Sequence, residues 1–154
     1  MNKILIAIDY APSAQKVAEQ GYALGKAMDA DIVLLHVIED VGYYASTSYD
    51  PIMGFGGFSN SVFLDKAALQ SIEKEAAQFL AKTKVHLKDD KIKTTVVHGD
   101  IADSILEKAN KEHCHLIAIY THGRNGIEEF FLGSTAHKLI KRATVPIYII
   151  PIKP

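Results

Sequence analysis

Residues 116–135 read LIAIYTHGRNGIEEFFLGST, and this stretch contains the clearest sequence signal for the fold. Its first five residues, 116–120, are apolar without strict alternation, which is typical of a strand buried on both faces. A glycine-containing segment follows, and Gly133-Ser134-Thr135 then opens a region with helical spacing. A buried strand, a loop and a helix in this order predict one unit of a parallel α/β sheet.

The same alternation extends along the rest of the chain. Apolar runs occupy residues 4–8, 32–37, 116–120 and 147–150, with a weaker alternating run at 92–98. Helical spacing predicts helices at about 17–28, 64–87, 101–112 and 135–142. In the last of these, Leu139 and Ile140 are expected to face the core. The pattern predicts an open, doubly wound, five-stranded parallel sheet with helices on both faces. We expect one domain over residues 1–154, with a long loop at about 39–63.

The composition narrows the possible functions. Lys plus Arg number 17 and Asp plus Glu number 18, so the chain lacks the basic excess typical of nucleic-acid binding. The single cysteine, Cys114, cannot form an internal disulfide, which fits a reducing compartment. Residues 4–8, closed by Asp9, favour a buried strand over a signal peptide, and no apolar run approaches the length of a bilayer span. We expect a cytoplasmic protein with neither nucleic-acid nor membrane partners.

In doubly wound sheets, ligands bind at the carboxyl ends of the strands, where the winding reverses. Gly133 and Ser134 lie at the start of a predicted helix, where free N–H groups and the helix dipole attract anions. These residues favour a phosphate cradle, although glycines before a helix also serve ordinary turns. Asp9 follows a buried strand at the same edge. A carboxylate there suits sugar hydroxyls, or it braces a loop or a helix start.

The whole chain resembles the universal stress protein family. Nucleotide-binding members of that family carry Gly, two residues, Gly, nine residues, and then Gly followed by Ser or Thr. Here Gly123, nine intervening residues, Gly133 and Ser134 keep that spacing. Tyr120 departs from it, because it stands where the motif has its first glycine. Its ring is expected to obstruct the pocket, or else to turn away into the protein or lie against the adenine. The first strand with Asp9, the second strand at 34–37 and residues 144–146 also resemble the family. The resemblance implies an adenine nucleotide alpha hydrolase-like fold.

The resemblance also implies a ligand and its contacts. The ligand is ATP or AMP, with or without Mg²⁺. Asp9 is expected to accept hydrogen bonds from the ribose hydroxyls, and Val37 to contact the adenine edge. The residues expected to bind phosphates are Gly123, Gly133, Ser134 and Thr135. The residues expected to complete the pocket are Ala7, Ile119 and Tyr120. The resemblance further implies a homodimer formed through the last strand.

Three functions remain open at this point. The preferred one is an adenine-nucleotide-binding regulatory module of a stress response. A slow ATPase is a second, although no residue obviously positions the attacking water. A third is a nucleotide-free interaction module that acts through the aromatic loop at 39–63. We assign no catalytic residue and no metal site, because His113, Cys114 and His115 lack further ligands from convergent elements.

Overall fold

The chain alternates strands and helices, as a computed structural model shows for residues 2–39, 66–122 and 133–152. These residues form five strands and four helices. The strands are β1 (Asn2–Ala7), β2 (Ala30–Ile38), β3 (Lys93–His98), β4 (Leu116–His122) and β5 (Ile147–Ile152). The helices are α1 (Ala14–Ala27), α2 (Lys66–Leu87), α3 (Ile101–Lys111) and α4 (Ser134–Arg142).

The strands form one parallel sheet in the order β3-β2-β1-β4-β5. From β1 the chain first winds outward to β3 and then returns to the other side of β1 to form β4 and β5. In the centre, Ile4 of β1 is in register with Ile32 of β2 on one side and Leu116 of β4 on the other. The winding therefore reverses between β1 and β4, and the predicted five-stranded, doubly wound sheet is confirmed.

Side-chain alternation along the strands divides the core into two layers. On one face, α1 and α2 cover Ile4, Ile6, Ile32, Leu34 and Ile150. On the other face, α3 and α4 cover Leu5, Val33, Leu35, Ile117 and Ile119. Both faces of the central strands are thus buried by helices, which explains why their sequences are continuous apolar runs rather than alternating ones.

Two glycines of helix α1 face the sheet at positions that leave no room for a larger side chain. A Cβ on Gly21 would stand 2.8 Å from Cδ1 of Ile6, and one on Gly25 would stand 3.0 Å from Cδ1 of Ile32. A larger residue at either position would push α1 outward or force the isoleucine out of its rotamer. These two glycines are therefore required for packing rather than for a turn.

The helices bury one face each against the sheet, and α4 departs from its expected face at one residue. In α2, Ala76 and Leu80 are fully buried. In α4, Leu139 is buried but Ile140 is 50% exposed, so the expectation that both face the core was wrong for Ile140. One residue corresponds to about 100° around a helix, which carries Ile140 past the edge of the buried stripe. No helix within the described ranges is long and apolar enough to cross a membrane.

Candidate functional site

The candidate site lies at the carboxyl edge of the sheet. Because all five strands are parallel, their carboxyl ends share this edge. Asp9 follows β1, Val37 lies near the end of β2, and Tyr120 lies near the end of β4. Helix α4 returns the chain from the end of β4 to the start of β5, so its first residue, Ser134, lies at the same edge. The fold thus brings these expected site residues to one edge, beside the point where the winding reverses.

The carboxylate of Asp9 has two intramolecular hydrogen-bond partners. Its Oδ1 accepts from the backbone N–H of Ala11 at 2.9 Å, which closes a tight turn after β1. Its Oδ2 accepts from the hydroxyl of Tyr120. No lysine, arginine or histidine of the described ranges forms an ion pair with this carboxylate. Asp9 therefore braces its loop, and its negative charge is neutralised by no cation in that part of the chain.

Tyr120 reaches Asp9 from the face covered by α1 and α2. Its ring is half-buried and packs against the core of that face. Burial raises the pKa of the phenol above its ordinary value, and the hydrogen bond to Asp9 and the charge of that carboxylate raise it further. The phenol is accordingly neutral at pH 7, and its hydroxyl donates to Asp9.

The apolar residues expected to line the pocket point to the opposite face. Ala7, Val37 and Ile119 all pack with the core under α3 and α4. Ile119 is in register with Ile149 of β5, whereas Ala7 is in register with Leu35 of β2. The ring of Tyr120 therefore lies across the sheet from these side chains, and its hydroxyl is the part that reaches the candidate site.

Helix α4 presents its start to the same edge. Gly133 caps it with φ −53° and ψ 157°, and no atom of the described residues lies within 4 Å of the position of a Cβ there. The first N–H groups of a helix have no intrahelical acceptor, so those at and after Ser134 point toward the edge as donors. Lys138 forms a 3.0 Å ion pair with Asp100, and Arg142 pairs with Asp103, which ties α4 to α3.

The remaining expected ligand-binding residue, Gly123, lies outside the described residues, as does the expected loop at about 39–63 apart from residue 39. Ser134 is exposed and Thr135 is half-buried in the first turn of α4. Of the nine residues expected at the site, eight are therefore located at the carboxyl edge or within the last four residues of the strands that end there. The contacts of these residues with a ligand stay a prediction.

An aromatic cluster beside Asp9 was not anticipated from the sequence. The ring of Tyr10 lies 4.4 Å from that of His36 and 4.9 Å from that of Phe79, measured between ring centroids. His36 is buried, and its Nδ1 lies 2.9 Å from the carbonyl oxygen of Ile8, which means that Nδ1 carries the proton. A histidine within an apolar strand, two positions before its end, was the signal in the sequence for a polar contact at this edge.

The segment 113–115 lies at the other end of the sheet. Cys114 is buried, and burial raises the pKa of its thiol, whereas both flanking histidines are exposed. Within the ranges that the structure describes, no group of three or more His, Cys, Asp or Glu side chains is placed to hold a metal ion.

A doubly wound parallel sheet, with a carboxylate and a helix start at its reversal point, defines the class of α/β proteins that bind ligands at the carboxyl edge. A family model described as the universal stress protein family matches residues 1–151 of the chain. The chain belongs to the universal stress protein family.

Individual relatives are similar over their full length. Universal stress protein YxiE of Bacillus subtilis is 29% identical over 151 residues, which are 97% of this chain and 98% of the relative. Universal stress protein MJ0577 of Methanocaldococcus jannaschii is 25% identical over 154 residues, 98% of this chain and 95% of the relative. Its solved structure superimposes with a TM-score of 0.74 over 99% of this chain and 97% of that chain. A universal stress protein from Archaeoglobus fulgidus, solved in complex with dAMP, gives a TM-score of 0.60 at 12% identity, with 97% of each chain covered.

Proposed function

We propose that this chain is an adenine-nucleotide-binding regulatory module of a stress response, and that it binds AMP or ATP at the carboxyl edge of its sheet. The observation that carries the proposal is the convergence of Asp9 and the start of α4 beside the reversal point of the sheet. A carboxylate suits the hydroxyls of a sugar, and a helix start suits a phosphate. Their presence at one edge fits a ligand that contains both groups.

Each part of the nucleotide has a matching group. The ribose hydroxyls would donate to Asp9, and the adenine would lie against Val37, with Ala7 and Ile119 beneath it in the apolar layer. The phosphates would accept hydrogen bonds from the backbone at Gly133 and from the groups that follow it. The groups that follow Gly133 are the N–H groups and hydroxyls of Ser134 and Thr135. Gly123 is assigned to the phosphates by the family motif alone.

The structural relatives support the choice of base. The Archaeoglobus fulgidus protein that superimposes on this chain was solved with dAMP, which is an adenine nucleotide. Nothing at the described edge distinguishes AMP from ATP, so both belong to the proposal, with or without Mg²⁺. A ligand that prefers one conformation or assembly of the protein shifts its equilibrium toward that state, which is how such a module would regulate.

A second candidate function is an interaction module that works without nucleotide. It is favoured by the contacts of Asp9, because each carboxylate oxygen already accepts one hydrogen bond, Oδ1 from the Ala11 N–H and Oδ2 from the Tyr120 hydroxyl. Under this alternative, the Asp9–Tyr120 bond is a permanent brace and the edge is closed to sugars.

Two measurements separate these functions. Freshly purified protein is denatured, and the released small molecules are identified by chromatography. Protein stripped of ligand is then titrated with AMP and with ATP by calorimetry. We expect an adenine nucleotide in the released fraction and saturable binding in the titration. A fraction without nucleotide together with a flat titration would contradict the proposal, and release of inorganic phosphate from bound ATP would identify a slow ATPase.

We further propose that the module is a homodimer formed along β5. This strand pairs with β4 on one side and lies last in the described sheet, and an apolar sheet edge favours pairing with a second chain. Ile147 and Ile149 pack into the core under α3 and α4, so the exposed Tyr148 is the better position to test. We expect Tyr148→Lys to yield monomers by light scattering. The control is Val85→Lys on α2, which is 74% exposed and should leave the mass unchanged. A dimeric Tyr148→Lys variant would argue against assembly through β5.

A further inference from the structure

The hydroxyl of Tyr120 donates to the same carboxylate that the proposed function assigns to the ribose. The donor is the neutral phenolic O–H of Tyr120, which is chemically similar to the alcoholic O–H of a sugar. The two residues lie on different strand ends, 111 positions apart in sequence, so their contact is a product of the fold and not of local chain geometry.

We infer that Tyr120 is an internal competitor for the sugar subsite: its hydroxyl occupies Asp9 in the free protein, and a ribose hydroxyl must displace it. This inference rests on the proposed function and adds to it a regulation of the same site. The two adjacent hydroxyls of a ribose match the two oxygens of one carboxylate, with one hydroxyl donating to each oxygen. Here Oδ1 is held by the Ala11 N–H at 2.9 Å and Oδ2 by Tyr120. The Tyr120 bond is released when the tyrosine side chain alone moves, whereas release of the Ala11 N–H requires a movement of Asp9 itself or of its turn.

The environment of Tyr120 allows that exchange. Its ring is half-buried on the face under α1 and α2, whereas Ala7, Val37 and Ile119 lie on the opposite face. The ring therefore does not fill the apolar part of the proposed pocket. Competition is confined to the sugar, which means that a nucleotide without sugar hydroxyls binds without opposing Tyr120.

Competition by Tyr120 reduces the preference of the wild-type protein for nucleotides with sugar hydroxyls over nucleotides without them. In the wild-type protein, a ribose hydroxyl gains a bond to Asp9 but breaks the bond between Asp9 and Tyr120, so the net gain is small. In Tyr120→Phe the ring remains and the competing hydroxyl is gone. The ribose then gains its bond without that cost. A hydrogen bond to a charged group has a value equivalent to about tenfold in affinity or more.

The test compares ATP with 2′,3′-dideoxy-ATP, which has no hydroxyl on its sugar ring to offer Asp9. Calorimetry on the wild type is expected to give similar affinities for the two nucleotides. Tyr120→Phe is expected to bind ATP about tenfold more tightly than the wild type does, and dideoxy-ATP equally well. The matched control is Tyr22→Phe, which removes the other tyrosine–aspartate hydrogen bond, 3.1 Å long, between Tyr22 and Asp89. It should change neither affinity.

A second readout follows the displaced residue itself. In protein labelled with ¹³C-tyrosine, the ring signal that is absent from Tyr120→Phe belongs to Tyr120. We expect this signal to shift when ATP is added and to stay in place with dideoxy-ATP.

The remaining outcomes overturn the inference in distinguishable ways. If the wild type already discriminates the two nucleotides as strongly as Tyr120→Phe does, Tyr120 does not compete, and the proposed function stands without it. An equal gain for both nucleotides would assign the effect to packing, and the competition would again be refuted. An unmoved Tyr120 signal at saturating ATP would show that the bond to Asp9 persists beside the ligand. Failure of every variant to bind either nucleotide would refute the proposed function, and the competition with it.

Discussion

Two aspartates in this molecule have the same hydrogen-bond pattern, and they lie in different parts of the fold. Asp9 accepts from the N–H of Ala11 and from the hydroxyl of Tyr120. Asp89, in the turn between α2 and β3, accepts from the N–H of Lys91 at 2.9 Å and from the hydroxyl of Tyr22 at 3.1 Å. In each case one oxygen closes a turn two residues ahead and the other receives a phenol.

The two pairs differ in charge and in position. Nζ of Lys26 lies 3.8 Å from Asp89 and 5.9 Å from the centre of the Tyr22 ring, so that carboxylate has a cation. Asp9 forms no ion pair with any residue of the described ranges, and it lies at the edge where the winding reverses. The pattern of hydrogen bonds alone therefore does not mark a binding residue. Asp9 differs from Asp89 in its position at the carboxyl edge and in having no ion pair with a residue that the structure describes.

The largest effect is expected from Gly133→Val, which leaves Asp9 intact and removes the other half of the proposed site. A β-branched side chain at the start of α4 would keep phosphates away from the helix N–H groups. Since each hydrogen bond to a charged group has a value of about 1.5–3 kcal/mol, ATP binding should weaken by about a hundredfold or more.

Folding of this variant should be preserved. The backbone at Gly133 has φ −53° and ψ 157°, which valine adopts readily, and no described atom lies within 4 Å of the new Cβ. Circular dichroism and thermal melting provide the control, and Gly133→Ala should show a smaller loss of affinity by calorimetry. Wild-type affinity in a folded Gly133→Val protein would exclude the start of α4 as the phosphate site.

Tyr120→Gly should tighten ATP binding by about tenfold. The variant removes the ring that stands where the family motif has glycine. It also removes the hydroxyl that donates to Asp9. Because the ring lies on the face under α1 and α2, we expect most of this gain to come from the freed carboxylate. The melting temperature must be measured in parallel, since a half-buried ring is lost and the backbone gains freedom. An affinity equal to or below that of the wild type, in a stably folded variant, would reject obstruction by Tyr120.

The comparison also shows which features the sequence can reveal. The apolar runs and the helical spacing predict the sheet, because strands covered on both faces and amphipathic helices have different periods. The order of the elements then predicts which ends share an edge, so Asp9 and Ser134 could be assigned to one site. The face taken by Ile140 was not predicted correctly, since a residue near the border of a buried stripe depends on how the helix is rotated against the sheet.

The hydrogen bond between Asp9 and Tyr120 could not be predicted from these sequence patterns. The sequence shows a tyrosine in place of a motif glycine, but its side chain had two faces available. The face that it takes depends on the phase of β4, that is, on which alternate residues point to which side of the sheet. Ala118 and Tyr120 point under α1 and α2, whereas Ile117 and Ile119 point under α3 and α4. That phase is set by packing across the whole sheet. The resemblance between the pairs at Asp9 and Asp89 is visible only in three dimensions.

The smallest effect is expected from Asp89→Asn, which removes the charge of the matched pair and keeps an oxygen for Lys91. The backbone hydrogen bond from Lys91, with help from Tyr22 and Lys26, holds the pKa of this carboxyl below its ordinary value of 3.8. A group whose pKa is lower in the folded state stabilises the protein when it is ionised. Its contribution is therefore complete well above pH 3.8 and is lost as the pH falls through the folded pKa.

Since the pair is near the surface, the melting temperature of Asp89→Asn at pH 7 should be lower by about 1–3 °C. This difference should shrink as the pH falls below about 4, while ATP affinity at pH 7 stays that of the wild type. A difference that is constant down to the lowest accessible pH would show that the Asp89 charge is not its source. A loss of ATP affinity would show that the two aspartates are not functionally distinct.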